Sequence, residues 1–473
     1  MVAVLGLPAS GAAADFFVAK DNPGGCSDQG SGTDSQPWCT LQHAADTVTA
    51  GGTVIVKAGS YAERPTLRSS GNAGGRIVFR SEPLLAASCQ GFVVNGNYVT
   101  VQGFDITTSN DGISAGGDFV IISDNYLHEV ERTGINSWGA SNQVLRNRIY
   151  RPQMGIVVGG DDSRMENNDV ERLYNWGTMG DCDYSRFFGK NIVIANNYFH
   201  GTSFDETGAA HVDCFQTFDN NGELAQDVLF EGNRCFDFHQ GLMGEATFNH
   251  QSTRLTFRNN LFAHGGAWGL CVKDISAITA VNNTFVDIYW YGVGFSGSYA
   301  QGEVIKNNIF YGAMNATSYL FENGAAGVAD YNLITSAVPP SSPATHDLLD
   351  VDPQFVAYSN DNFHLQLGSP ACTGGEGGTY LGAFPCAVSP PADGGGADGG
   401  SASDGGHADL GPAADGNIAN PSGAGDAGHD AGRATGLAGV GCGCRDGRAS
   451  RSAVVLIAML VGLCERRRRG FGP

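Results

Sequence analysis

Residues 255–310 read LTFRNNLFAHGGAWGLCVKDISAITAVNNTFVDIYWYGVGFSGSYAQGEVIKNNIF, and one phrase recurs in them. Asn259-Asn260, Asn282-Asn283 and Asn307-Asn308 are each followed, two places after the second Asn, by Phe262, Phe285 and Phe310. Working outward, the same phrase returns as Asn167-Asn168 and Asn196-Asn197. With only the second Asn it appears at Asp124-Asn125, Arg146-Asn147, Gly232-Asn233 and Tyr331-Asn332. Counted on the second Asn, the intervals are 22, 21, 29, 36, 27, 23, 25 and 24 residues, and a period of this length signals a solenoid.

Each period carries apolar alternations too short for helices, such as Ile192–Ile194, Val228–Phe230 and Leu255–Phe257, which read as strands. A second phrase, a residue followed by Gly and an apolar residue, also returns once per turn: Asp111-Gly112-Ile113, Thr133-Gly134-Ile135, Met154-Gly155-Ile156, Gln240-Gly241-Leu242, Trp268-Gly269-Leu270, Tyr291-Gly292-Val293. Two or three short strands per coil, stacked at about 4.8 Å, place like residues above like. Asn amides stacked at a bend can then hydrogen-bond along the column. A leucine-rich repeat lacks its Leu framework here, and a propeller needs longer blades.

These features resemble right-handed parallel β-helix proteins of the pectate-lyase-like superfamily, over roughly residues 16–385. FFVAKDNPGGCSDQGSGTDSQPWCTLQHAADTVTAGGTVIVKAGSYAER, from Phe16, is similar to the family's N-terminal cap and first rung. DVDPQFVAYSNDNFHLQLGSPAC is similar to its closing segment. The resemblance implies an all-β, right-handed parallel β-helix solenoid with an N-terminal capping helix at Leu41–Val48.

Composition divides the chain. Residues 15–387 suit one elongated domain with a continuous core. Residues 388–440 turn to Gly, Ala, Ser and Asp and read as a disordered acidic linker. Residues 441–473 hold Cys442 and Cys444, an apolar run from Ala453 to Leu463, and Arg466–Arg469. That run is short for a membrane span. Its order resembles the C-terminal sorting tail of myxobacterial surface proteins; a retained weak anchor gives the same address. Residues 1–14, with Val2–Leu7 and Ala12–Ala14, look like the end of a secretory signal cleaved before Asp15, its basic start lost to a truncated start codon. The expected location is therefore secreted or on the outer cell surface, with membrane contact only through the tail, as a monomer.

Nine of the twelve Cys lie in residues 15–387. The short spacings of Cys26 with Cys39 and Cys372 with Cys386 suit loop-closing disulfides in an exported protein, while Cys89, Cys182, Cys214, Cys235 and Cys271 cannot be paired from spacing. No Cys and His spacing has the form of a zinc site. The formal charge is −21; the linker contributes −6 and the tail +5, so the domain carries −20. Such a surface repels nucleic acid. An acidic polysaccharide would need a local basic cluster or bridging cations.

Rungs lengthen where loops are let out, and such loops commonly line the binding face. The intervals of 29 and 36 cover Glu171–Cys235, so the site is expected there. In the phrase AHVDCFQTF, Asp213 takes the first place of the Gly phrase, Cys214 the Gly place and Phe215 the core place. Alternation puts His211 and Asp213 on a common side and turns Gln216 outward. The HxDxxQ phrase resembles one found in secreted β-helix proteins acting on glycans: His211 moves a proton, Asp213 fixes its tautomer, and Gln216 holds a sugar hydroxyl. It reads alternatively as a buried polar ladder.

Aligning on Leu242 and Leu270 puts Glu245 and Lys273 in one outward column. Lys273 is one of only five Lys in the domain and could abstract a proton, as a Lys or Arg does in the lyases of the family; it could equally form a cross-rung ion pair. Asp181 and Asp183 can ligate Ca²⁺, or one can be a catalytic acid, with Arg186 gripping a substrate carboxylate; a loop held by its own ion pairs is the other reading. Trp138, Trp268 and Tyr291 could stack on sugars, Trp268 being expected half-exposed. The leading expectation is a polysaccharide lyase acting on a uronate polymer in an open groove of the coil; the alternatives are a glycoside hydrolase with carboxylates drawn from Asp181, Asp183, Asp213 and Glu245, and a noncatalytic adhesin or glycan-binding protein.

Overall fold

The computed structural model describes residues 14–219, 222–312, 314–335 and 340–386. The signal segment, the linker and the sorting tail expected from the sequence lie outside the described residues. Among the described residues no helix is long and apolar enough to cross a membrane.

Short strands pair in parallel with their equivalents one turn on. One run, for example, goes from Gln143–Leu145 to Arg164–Glu166, Val193–Ala195, Ala225–Glu231, Thr253–Arg258, Thr279–Val281 and Gln301–Lys306. The chain is a parallel β-solenoid. Helix Leu41–Thr47, N-capped by the Thr40 hydroxyl, buries Leu41, Ala44 and Ala45 in the same core as the first strands.

The Asn phrase now has a cause for each of its letters. The second Asn is buried, and from Asn125 through Asn147, Asn168, Asn197, Asn233, Asn260, Asn283 and Asn308 to Asn332 each Nδ2 donates to the next Oδ1 at 2.9–3.0 Å. That Oδ1 also accepts the backbone N–H of the Asn before it, and the other Nδ2 hydrogen goes to a carbonyl such as Met165 O or Ile194 O. Full pairing removes most of the cost of burying an amide. The residue before each ladder Asn has a positive φ, for instance Asn196 at 54° and Asn259 at 56°. Asn, Asp and Gly tolerate that conformation best, which accounts for the doubled Asn. Asp347 ends the ladder, its Oδ1 accepting the Asn332 N–H at 2.8 Å.

Two places after the ladder Asn the Phe side chains stack inside the coil: Phe262 on Phe285 at 5.1 Å and Phe285 on Phe310 at 5.0 Å. Each such ring contributes about 1.5–3 kcal/mol by burial. The closing segment does not simply cover the last rung. Phe355, Phe363, Leu365, Ala371 and Leu381 pack along the outside of the coil on Leu261, Val286, Ile309 and Leu333, whose outward side chains are apolar.

Disulfides join Cys26 to Cys39 and Cys372 to Cys386, as expected, and Cys214 to Cys235 within the core. Burial pushes the Cys89 and Cys182 thiols up to about 12, so neither is a thiolate at neutral pH.

Candidate functional site

One face of the coil carries the unusual residues, and its pairing register sets them in columns. Asp213 lies opposite Gln240, which lies opposite Trp268 and then Tyr291. Arg186 lies opposite Gln216, followed by Met243, Cys271 and Gly294. Glu245 lies opposite Lys273, as the alignment of rungs required. The two let-out segments, residues 172–184 and 201–212, join the strands on either side of this face. Met179 of the first packs on Met154, Val157, Phe188 and Phe218, and its backbone carbonyl accepts from Gln153 at 2.7 Å. The second contains the short helix Phe204–Thr207, N-capped by Ser203.

At the centre one guanidinium faces three carboxyl groups. Arg186 donates from Nε to Asp183 Oδ2 at 2.8 Å and from its terminal nitrogen to Asp183 and Asp181 at 2.6 and 2.7 Å. The Asp213 backbone N–H donates to Asp183 Oδ1 at 3.2 Å, and Gln216 Nε2 donates to Asp213 Oδ2 at 3.1 Å. Asp213 and Asp183 are 0 % exposed. Burial raises the Asp183 pKa, with Arg186 opposing it and Asp181 adding to it. Asp213 has no cation in contact, so burial and then the charges of Asp183 and Asp181 hold its carboxyl well above the usual range. Three buried acceptors have no hydrogen-bond partner and sit together: Asp213 Oδ1, Gln216 Oε1, and Gln240 Oε1 on the next rung.

His211 is half-buried, but Asp213 does not orient it. The Asp213 Oδ2 is taken by Gln216 and its Oδ1 has no partner, because the Asp side chain turns along the sheet toward Gln216. The ring beside His211 is His239, edge-on at 6.1 Å. His239 Nδ1 accepts the Val212 N–H at 3.3 Å, Phe204 stacks on the ring at 4.5 Å, and burial, with His211 beside it, lowers the His239 pKa to about 4. It is neutral at pH 7.

Lys273 and Asp213 share the face without sharing a reaction centre. Five residues along a strand and two rungs separate them, about 19 Å at about 3.3 Å per residue and about 4.8 Å per rung. Trp268 is 4 % exposed and not the half-open platform expected: its indole lies over Gly294 and under the Tyr291 ring, which is stacked on it at 4.1 Å and stays partly exposed. Only glycine at 294 leaves room for it, since an added Cβ there would fall 2.4 Å from Trp268 Cζ3. Trp138 is 47 % exposed and stacks on Phe188 at 5.5 Å, with its Nε1 donating to Asn136 Oδ1 at 2.7 Å. Asp181 and Asp183 turn their oxygens to Arg186, and among the described residues no group of three or more His, Cys, Asp or Glu could hold a metal ion. As placed, this donor set does not fit Ca²⁺.

Sequence reasoning passed over Gln240 and His239. Gln240 stands in the first place of its Gly phrase, so the rung alignment that located Glu245 could also have set it beside Asp213. His239 lies on a bend outside both repeated phrases and had no such signal.

No family model matches the chain. A curated relative, the uncharacterized protein YwoF of Bacillus subtilis (strain 168), is 37 % identical over 67 residues, which span 14 % of each chain. Among solved structures the chain is similar to pectate lyase Pel9A, with a TM-score of 0.50 and 17 % identity, covering 80 % of this chain and 98 % of that one. The GH136 lacto-N-biosidase from Eubacterium ramulus gives 0.46 at 13 % identity over 67 % of both chains. The PL6 family alginate lyase AlyGC gives 0.45 at 14 %, covering 81 % of this chain and 60 % of that one. At such identities the likeness to pectate lyase Pel9A establishes the pectate-lyase type of parallel β-helix and nothing about substrate.

Proposed function

We propose that the protein is an exported carbohydrate-active enzyme that cleaves a polysaccharide laid along this face, and that the cleavage is acid–base glycoside hydrolysis centred on Asp213. The observation that carries the reading is the fully buried Asp213 carboxyl, bonded by Gln216 and raised by burial well above the usual carboxylate range, beside Asp183, Asp181 and Arg186. A carboxyl kept neutral by burial near a second, ionised carboxylate is the arrangement that glycosidic cleavage requires. A sugar hydroxyl bonding Gln216 draws its amide off Asp213 Oδ2 and opens the acid to the glycosidic oxygen. Asp213 donates the proton to the leaving oxygen, and Asp181, nearer the surface, takes the proton of the attacking water. Arg186 holds Asp181 and Asp183 in place.

β-Elimination on a uronate polymer is the second reading. Lys273 opposite Glu245 favours it. Against it, Arg186, the one cation at the centre, is already engaged by Asp181 and Asp183 and is not left to grip a uronate carboxylate. The three disulfides are compatible with export, which the signal and tail readings also support.

A polysaccharide panel read for both reducing ends and near-ultraviolet absorbance tests the proposal. Reducing ends without absorbance, lost in Asp213→Asn, support hydrolysis. An absorbance rise lost in Lys273→Ala, with Asp213→Asn active, replaces it by elimination. No product from any polymer leaves a noncatalytic glycan-binding protein.

A further inference from the structure

Beyond the acid cluster, the strand Leu261–Lys273 bends at His264 and continues through Gly265 and Gly266, which with Asp287 and Tyr289 line a shallow, open cleft on the surface. Two aromatic side chains stand exposed at it: Tyr289, 52 % exposed, in its lining, and Phe204, 46 % exposed, which reaches from the inserted helix and stacks on His239 beside Gly266. A Cβ built at Gly266 would lie 3.3 Å from both Phe204 Cζ and His239 Cδ2, so Phe204 rests directly against the floor. The polar groups at the cleft are Asp287, whose Oδ2 accepts the Tyr358 hydroxyl at 2.6 Å, and His264, whose Nε2 meets Asp361 at 2.9 Å.

We infer that this cleft is a distal subsite that stacks an uncharged sugar ring of the glycan between Tyr289 and Phe204, about 12 Å from Asp213. The distance follows from two rungs and two residues of strand. Three observations combine. Flat exposed rings on a glycine floor suit the apolar face of a pyranose. Asp287 in the lining and Asp361 beside His264 make the cleft repellent to a uronate. The subsite is continuous with the acid cluster, since Phe204 stacks on His239 and His239 meets His211. The inference rests on the glycan reading above and narrows its substrate to a chain of neutral sugars long enough to bridge both places.

The test is calorimetric binding of cellohexaose, xylohexaose, N-acetylchitohexaose and hexagalacturonate to the full protein, and to Phe204→Ala and Tyr289→Ala. Both residues are exposed, so neither variant threatens folding. At least one neutral hexamer should bind, hexagalacturonate should not, and each variant should weaken the neutral hexamer by about fivefold to tenfold. Unchanged affinity in both variants overturns the subsite, as does binding of hexagalacturonate alone or of no hexamer. Cleavage of the same hexamers is followed separately. Binding that is lost in the two variants, with no cleavage by the wild type, keeps the subsite and removes the catalytic role of Asp213.

Discussion

Replacing Glu303 by Gln should stabilise the protein, and increasingly so as pH rises. Glu303 is 1 % exposed and points into the coil, where its Oε2 accepts the Ile278 N–H at 2.6 Å and its Oε1 has no partner. Earlier turns fill the same column with neutral groups: Asn142 serves the Val120 N–H and Ser163 that of Asn142, and the column then runs through Ile192, Val228, Leu255 and Ile278. The others are neutral, whereas Glu303 brings a titratable group into the core. Burial raises its pKa from 4.5 to about 8. The folded state therefore holds a proton that the unfolded state releases between those values, and stability falls as pH rises from about 4.5 to about 8. A shift of about 3.5 units at about 1.36 kcal/mol each is worth about 5 kcal/mol at pH 8. For a domain of residues 15–387, at about 2.1 cal/mol/K per residue, that is about 6 °C in Tm. Gln keeps an acceptor for the Ile278 N–H and cannot ionise. Melting of wild type and Glu303→Gln by calorimetry at pH 5, 6, 7 and 8, at one ionic strength, reads the difference directly. It should be small at pH 5 and approach about 6 °C at pH 8. A difference that stays constant across the range would refute the argument, because only titration in the folded core makes it grow.

Asp213→Asn should follow the same sign: the folded pKa is raised, so the wild type loses stability with rising pH and the variant should melt higher at pH 8, while any hydrolytic activity drops by about 100-fold or more. Arg186→Met leaves Asp181 and Asp183 without their cation and should cost about 3–5 kcal/mol in urea unfolding at pH 7, with part of the loss recovered on acidification, because burial raises the pKa of Asp183. Asn197→Ala takes the acceptor from the Asn168 N–H and Nδ2 and should cost about 2–5 kcal/mol by the same assay, whereas exposed Trp138→Ala should leave stability within about 0.5 kcal/mol.

How much of the molecule could be read in advance depended on whether a position repeats. The Asn ladder uses one amide at every turn, so it shows as a letter. The column that holds Glu303 has Asn142 and Ser163 at two turns and apolar residues from Ile192 to Ile278, so no letter recurs and the polar place stayed hidden. Periodicity also carried register: from the Gly phrase alone Glu245 falls opposite Lys273, and the pairing is so. It did not carry direction or depth. His211 and Asp213 are two residues apart on one side, yet Asp213 bonds Gln216 and leaves His211 to His239. Trp268 holds the place that alignment marks as outward, and Tyr291 covers it.

The sequence by itself determined the coil, the spacing of its rungs, the stretch where loops are let out and the disulfides at its two ends, because each follows from short-range spacing that repeats or closes a small loop. Only the tertiary structure decided that Cys214 bonds Cys235, that the closing segment packs along the outer face, and that Asp213 is a buried acid facing unpartnered amide oxygens. Those outcomes depend on what lies against a side chain from other turns and from the inserted loops. Burial and electrostatic balance are sums over such neighbours, and a linear period does not contain them.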